Sequence, residues 1–259
     1  TFFPLSQVRL TSGIFANRQH THSRHLMAIE PDRLLAPFLT QAGLPVKAER
    51  YGGWESRDIG GHSLGHYLSA LAFLHAATGS GEAPARVIHI VGELARCQQA
   101  NGGGYVLPVK MEAFEKVRAG EIEATPFSLN GVWVPFYTLH KLLAGLRDSY
   151  RLCGNAAALE IAICVCDWLE GIFFNLDAVQ IQQVLSTEHG GMNEVLADLS
   201  CDTGDARYLE MAARCFHHRK VLDPMFRGDD RLNGLHGNTQ IPKVVGLARE
   251  FELGAGTEC

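Results

Sequence analysis

Apolar positions recur along this chain at helical spacing, and four of the runs stop at a glycine: Gly79, Gly154, Gly204 and Gly254. The last three are fifty residues apart. Leu64, Leu68, Leu71, Ala72 and His75 form one stripe, and Val87, Ile90, Val91 and Leu94 mark a partner helix from Pro84 to Gln99. A second hairpin is predicted from Pro135 to Gly154 and from Ala156 to Phe174. A third runs from Gly191 to Gly204 and from Ala206 to Arg219. A fourth opens near Thr239 with Ile241, Val244, Val245 and Leu247. An earlier run starts at Pro31 and closes at Gly43, with Pro37 predicted to split it into two short pieces. Residues 101–130 break the rhythm with Gly102, Gly103, Gly104, Pro108, Gly120 and Pro126, and read as an insertion over one face, often the binding face. No run alternates as a strand.

A period of this size marks a supersecondary unit that cannot bury its apolar face alone, so the hairpins must stack. The fold class is all-α, a single domain over residues 1–259. The stack is either an open solenoid or a ring. A ring of six hairpins would need roughly 300 residues or more at this repeat length, and the three and a half hairpins predicted here are a little over half of such a ring.

Each glycine has a histidine upstream: His66, His140, His189 and His236. Stacked hairpins bring equivalent helix starts to one rim, so these histidines are expected to gather. With the amides of Asn193 and Gln240 and the aromatics Trp54, Trp133 and Tyr137, they suit a hydroxyl-rich ligand. Imidazole and amide groups both give and accept hydrogen bonds, and aromatic faces stack on sugar rings. Glu188 and Glu194 are the nearest carboxylates. A glycosidase commonly needs two, and Glu194 is the candidate acid within this chain. It reads equally as a first-turn carboxylate favoured by the helix dipole.

Two other motifs carry less. Gly61-His62-Ser63-Leu64-Gly65 has the spacing of a serine-hydrolase elbow, but that device needs a buried strand before it, and none is predicted. It reads as a glycine-rich helix entry. His62 and His66 lie four apart, yet the glutamate of a zinc-protease motif is missing. His20, His22 and His25 lie in a polar stretch and read as solvated.

Composition bounds the remaining choices. The 259 residues carry a net charge of −5, which argues against a nucleic-acid surface, and no apolar run is long enough for a membrane span. Seven irregularly spaced cysteines read as thiols rather than a disulfide framework, which points towards a reducing compartment. The chain opens at Thr1 without an initiator Met and reads as processed or as a fragment.

Longer strings resemble one family. They are Pro4-Leu5-Ser6-Gln7-Val8-Arg9-Leu10, Pro31-Asp32-Arg33-Leu34-Leu35, Tyr51-Gly52-Gly53-Trp54-Glu55, and Gly61 through Ala70. Three more follow: Tyr137-Thr138-Leu139-His140-Lys141, His189-Gly190-Gly191-Met192-Asn193-Glu194, and Gly234 through Lys243. Together they are similar to the β-L-arabinofuranosidase family, glycoside hydrolase family 127, from about Pro4 to Leu253. The resemblance implies an (α/α)6 barrel, incomplete in this chain, and retaining hydrolysis of L-arabinofuranosides. It implies that His140, His189 and His236 contact the sugar. It also implies a zinc-bound cysteine nucleophile and a glutamate acid/base in the complete enzyme, both beyond this chain. On that reading the chain itself holds no catalytic residue and no metal, Cys259 is not the nucleophile, and the chain alone is inactive. Exposed barrel edges would favour self-association. The competing expectation is a non-catalytic sugar-binding or helical-repeat scaffold module.

Overall fold

The computed structural model describes residues 3–255; the expectation for Cys259 lies outside them. In chain order the helices are α1 (Gly13–Ala28), α2 (Pro31–Gln41), α3 (His62–Thr78), α4 (Glu82–Ala100), α5 (Glu112–Arg118) and α6 (Pro135–Cys153). They continue as α7 (Ala156–Phe173), α8 (Ala178–Val184), α9 (Met192–Thr203), α10 (Ala206–Cys215), α11 (Arg219–Phe226) and α12 (Gly237–Glu252). The four glycines that end the apolar runs all adopt the left-handed conformation expected after a helix, with φ of 76° at Gly79, 68° at Gly154, 74° at Gly204 and 85° at Gly254.

The chain forms two compact units. One comprises the residues up to Pro108 with Lys141–Cys164; the other comprises Val109–His140 with the chain from Val165 onward.

In the first unit α3 packs on α4, and α2 packs on both. Leu35, Leu39, Leu64, Leu68, Leu71, Val87, Ile90 and Leu94 are fully buried there. α2 runs unbroken through Pro37, contrary to the two pieces predicted. Pro37 forfeits one backbone hydrogen bond, but all of Leu34–Leu39 is buried around it, so packing holds the helix. α1 was not legible in the sequence because it buries only Leu26. It is held at its C-terminal end. Tyr67 donates to the Leu26 carbonyl (2.9 Å), and the Arg86 guanidinium donates to the carbonyls of Ile29 and Met27 (2.6 Å each) and to Tyr67 (2.7 Å). His20, His22 and His25 on α1 are exposed.

The elbow-like motif opens α3 and follows a 3-10 turn, Gly53–Ser56, rather than a strand. Gly61 caps the helix at φ 99°, and a Cβ there would collide with Pro108 and Phe38. Glu55 accepts from the N–H groups of Gly61 (2.8 Å) and Ser63 (3.3 Å), placing a carboxylate on the helix N-terminus. Gly65 lies against the backbone of Lys141 and Leu142, and a Cβ on Gly145 would overlap the Gly65 carbonyl. Gly65 therefore serves a close crossing of α3 and α6, and Gly61 the turn that leads into α3.

In the second unit α9 pairs with α10 and α12. An aromatic cluster of Phe114, Phe136, Phe173 and Phe216 forms its core, with ring centroids 5.0–5.9 Å apart. The insertion holds α5 and a small antiparallel sheet, β1 (Ala124–Thr125), β2 (Ser128–Leu129) and β3 (Val132–Trp133). No strand was legible beforehand, because each is two residues long, too short to show alternation. Asn130, at φ 48°, closes the turn by donating to the carbonyls of Ala113 (2.8 Å) and Glu121 (3.1 Å). The predicted second helix of the third hairpin stops early, at Cys215, and resumes as α11 after Phe216-His217-His218.

Candidate functional site

The site lies in the second unit, where α6, α9 and α12 begin. α9 starts on two glycines. Gly190 has φ 54°, and a Cβ there would sit 2.7 Å from His140 Nδ1. A Cβ on Gly191 would sit 3.0 Å from His140 Nε2 and 3.3 Å from Glu194 Oε2. The missing side chains keep open the space where the His140 ring and the Glu194 carboxylate converge.

His140 and His189 are buried, at 6% and 0% exposure. The Gly191 N–H donates to His140 Nδ1 (3.0 Å), so a neutral His140 carries its proton on Nε2. His189 Nδ1 pairs with the Thr187 carbonyl (3.1 Å), which can only accept, so the proton is on Nδ1 and Nε2 is an acceptor. That Nε2 has no hydrogen-bond partner within the protein although it is fully buried, and the same holds for the neighbouring Thr187 hydroxyl. Burial holds His189 well below the usual histidine range, and the nearby charge of Lys243 adds to this. Of the two imidazoles, His189 thus presents an acceptor that nothing in the protein satisfies.

His236 is different. It is exposed at the N-cap of α12, with Nδ1 3.0 Å from the Thr239 hydroxyl and its ring 5.9 Å from Phe127. The structure therefore buries His140 and His189 together and leaves the third predicted histidine at the surface. Gln240 and Asn193 are both buried. Asn193 donates to the Lys243 carbonyl (3.0 Å) and to Glu250 (2.9 Å), and a Cβ on Gly246 would overlap its amide, so it serves the α9–α12 crossing. Tyr137, on the first turn of α6, stays neutral because burial and the Glu188 charge raise its phenol.

The insertion reaches this place. The Glu188 N–H, next to His189, donates to the Pro126 carbonyl (2.9 Å), and Phe127 carries the contact to His236.

Sequence reasoning missed Lys243 and His218. Lys243 is 1% exposed, and its amine lies 2.8 Å from His218 Nδ1 and 3.0 Å from Gln240 Oε1. Burial lowers it to about 8. The only sequence signal was the i, i+3 spacing from Gln240.

In the first unit, Trp54 is exposed with its ring 6.4 Å from His62, and His62 meets His66 edge to face at 6.1 Å. A largely apolar cleft of about 570 Å³ lies beside them, with Tyr51, Glu55, Ser63, His66 and Tyr67 in its wall. Burial and the Lys141 charge lower His66.

The donors present do not fit a zinc site. Among the described residues no three His, Cys, Asp or Glu side chains are grouped to hold a metal ion. The described cysteines are free thiols, and burial pushes Cys97 up to about 11 and Cys215 up to about 12, the reverse of a metal-bound thiolate. No helix among the described residues is long and apolar enough to cross a membrane.

The family model for the β-L-arabinofuranosidase GH127 catalytic domain matches residues 7–257. No curated protein matches the chain. Among solved structures, the chain is similar to Ara127N, a GH127 β-L-arabinofuranosidase from Geobacillus stearothermophilus T6. The TM-score is 0.55 at 17% identity, covering 91% of this chain and 34% of that one. At that identity the likeness speaks to fold, and it agrees with the all-α class expected from the hairpins and with the (α/α)6 barrel that the resemblance implied.

Proposed function

Because the chain belongs to the GH127 β-L-arabinofuranosidase family, we propose that it supplies the histidine side of a sugar pocket in a retaining glycoside hydrolase acting on L-arabinofuranosides. The observation that carries this reading is the buried, unpartnered acceptor at His189 Nε2 beside His140. A buried acceptor left unpaired is unfavourable by about 1–3 kcal/mol, and a ligand hydroxyl relieves that. His189 Nε2 accepts a hydrogen bond from a sugar hydroxyl, and His140, buried beside it, lines the same pocket. His236 closes the site from the exposed start of α12. A helical scaffold for protein partners would have no use for the orphan acceptor, whereas a sugar-binding module would.

Hydrolysis itself needs an acid/base and a nucleophile. We assign these to protein outside this chain, and no step here runs through a metal. The chain alone is therefore expected to bind L-arabinose weakly and to turn over no L-arabinofuranoside. Calorimetric titration of L-arabinose against the chain and against His189→Ala tests the first point. Heat present in the first and lost in the second supports the pocket, and equal heats or none from both favour the scaffold. Turnover of a chromogenic β-L-arabinofuranoside that disappears in His189→Ala would overturn the second.

A further inference from the structure

The polar cluster behind His189 is organised around one buried cation. The Lys243 amine is shared between His218 Nδ1 (2.8 Å) and Gln240 Oε1 (3.0 Å). An ammonium only donates, so His218 must offer a lone pair at Nδ1 and carry its own proton on Nε2. The His218 ring then meets the His189 ring edge to face, with centroids 5.8 Å apart. His189 is fixed in the opposite tautomer by the Thr187 carbonyl and backed by Phe216 at 6.1 Å.

We propose that Lys243 is a positioning residue of the sugar site, which by locking His218 on one side keeps His189 Nε2 an obligate acceptor for a ligand hydroxyl. It touches no sugar itself. The inference rests on the pocket reading given above.

The charges that bear on the pair come from every side. His189 faces Lys243 on α12, His218 on the turn after α10, and His140 on α6. His218 faces Lys243, Lys220 and His217. Glu188 faces Lys243 and favours its charged form. Burial is the first cause of the low His218 value, about 3, and Lys243 the second; the order is the same at His189. A proton arriving on either ring would meet the ammonium at short range in a dry setting, where such repulsion is little screened. His189 therefore cannot become a donor while Lys243 is charged. Selection follows from this: the sugar position facing His189 must bring a hydroxyl hydrogen, and an analogue with only a lone pair there is refused.

The experiment is nitrogen-15 NMR of the histidine rings in the purified chain, in the wild type, Lys243→Met and Lys243→Arg, from pH 4 to pH 8. In the wild type, His189 should show a bare Nε2 and His218 a bare Nδ1, each titrating below an ordinary histidine. In Lys243→Met both should take up a proton at a higher pH than in the wild type, and Lys243→Arg should stay near the wild type. A wild-type His189 protonated at Nε2, or a methionine variant with unchanged titrations, overturns the proposal. Should the methionine variant fail to fold, Lys243→Gln, which keeps hydrogen-bond donors but no charge, takes its place with the same expected shift. These signals need no sugar. A wild type with the expected tautomers but no affinity for L-arabinose would sink the pocket reading and leave the lysine's hold on the histidines standing.

Discussion

At the scale of single residues, the site trades stability for prepared hydrogen bonds. His189 and His218 are held neutral in the folded chain, with His218 near 3 and His189 well below its ordinary value. In the unfolded chain both return to about 6.5. The unfolded state thus binds more protons below that pH, and stability falls as pH drops from about 6.5 towards each folded value. Each such histidine contributes a slope of about 1.4 kcal/mol per pH unit in that window. Urea unfolding at pH 7 and pH 5 should show this loss, and His218→Phe should reduce it; an unchanged pH dependence in His218→Phe would count against the assignment. Lys243 acts with the same sign in a higher window. Its depressed value near 8 means that folding strains the charged form below pH 8, a penalty relieved as pH rises from about 8 to about 10.5. The sequence pointed to His140 and His189 because each opens a hairpin and His189 precedes two glycines. It did not point to Lys243 and His218, which meet across twenty-five residues of chain. That contact needs α12 laid beside the turn after α10, and no local pattern encodes such a meeting.

At the scale of elements, glycine does two jobs that the sequence separates poorly. Gly79, Gly154, Gly204 and Gly254 end helices with left-handed backbone, and the apolar runs they close, the last three fifty residues apart, made them legible. Gly65, Gly145 and Gly246 lie inside helices where a neighbouring element comes too near for a Cβ. In a helix interior an isolated glycine normally weakens the fold by about 1 kcal/mol relative to alanine. Here the sign reverses. Gly65→Ala and Gly246→Ala should each destabilise the chain by about 1–3 kcal/mol through overpacking, read as a lower urea midpoint. Gly92, whose Cβ would meet nothing within 4 Å, serves as the control, and its alanine variant should be neutral or slightly stabilising. Helices with broad apolar stripes, such as α4 and α6, were predicted to within a residue or two. α1, α8 and α11 were not, because α1 buries a single side chain and the other two are seven and eight residues long.

At the scale of the whole molecule, apolar side chains stand in water where a further element would ordinarily cover them. Ile241, Val245 and Phe251 on α12 are 53%, 46% and 67% exposed, and Ile14 and Phe15 on α1 are 65% and 74% exposed. The chain spans 34% of the length of the Geobacillus enzyme. Such surfaces favour association, and sedimentation of the purified chain should show species heavier than a monomer at micromolar concentration. Ile241→Lys with Phe251→Lys should shift the distribution towards monomer, whereas a clean wild-type monomer would remove this expectation.

The hydrogen bond from Glu188 to Pro126 has a reach that its 2.9 Å length does not convey. It fastens a surface ribbon to the backbone one residue from His189. Changes in that ribbon, whether a protease nick, a lengthened turn or an inherited deletion, would be felt at the acceptor they never touch. On the sugar-pocket reading proposed above, related chains that differ in this ribbon are expected to diverge in sugar preference while every residue lining the pocket stays the same.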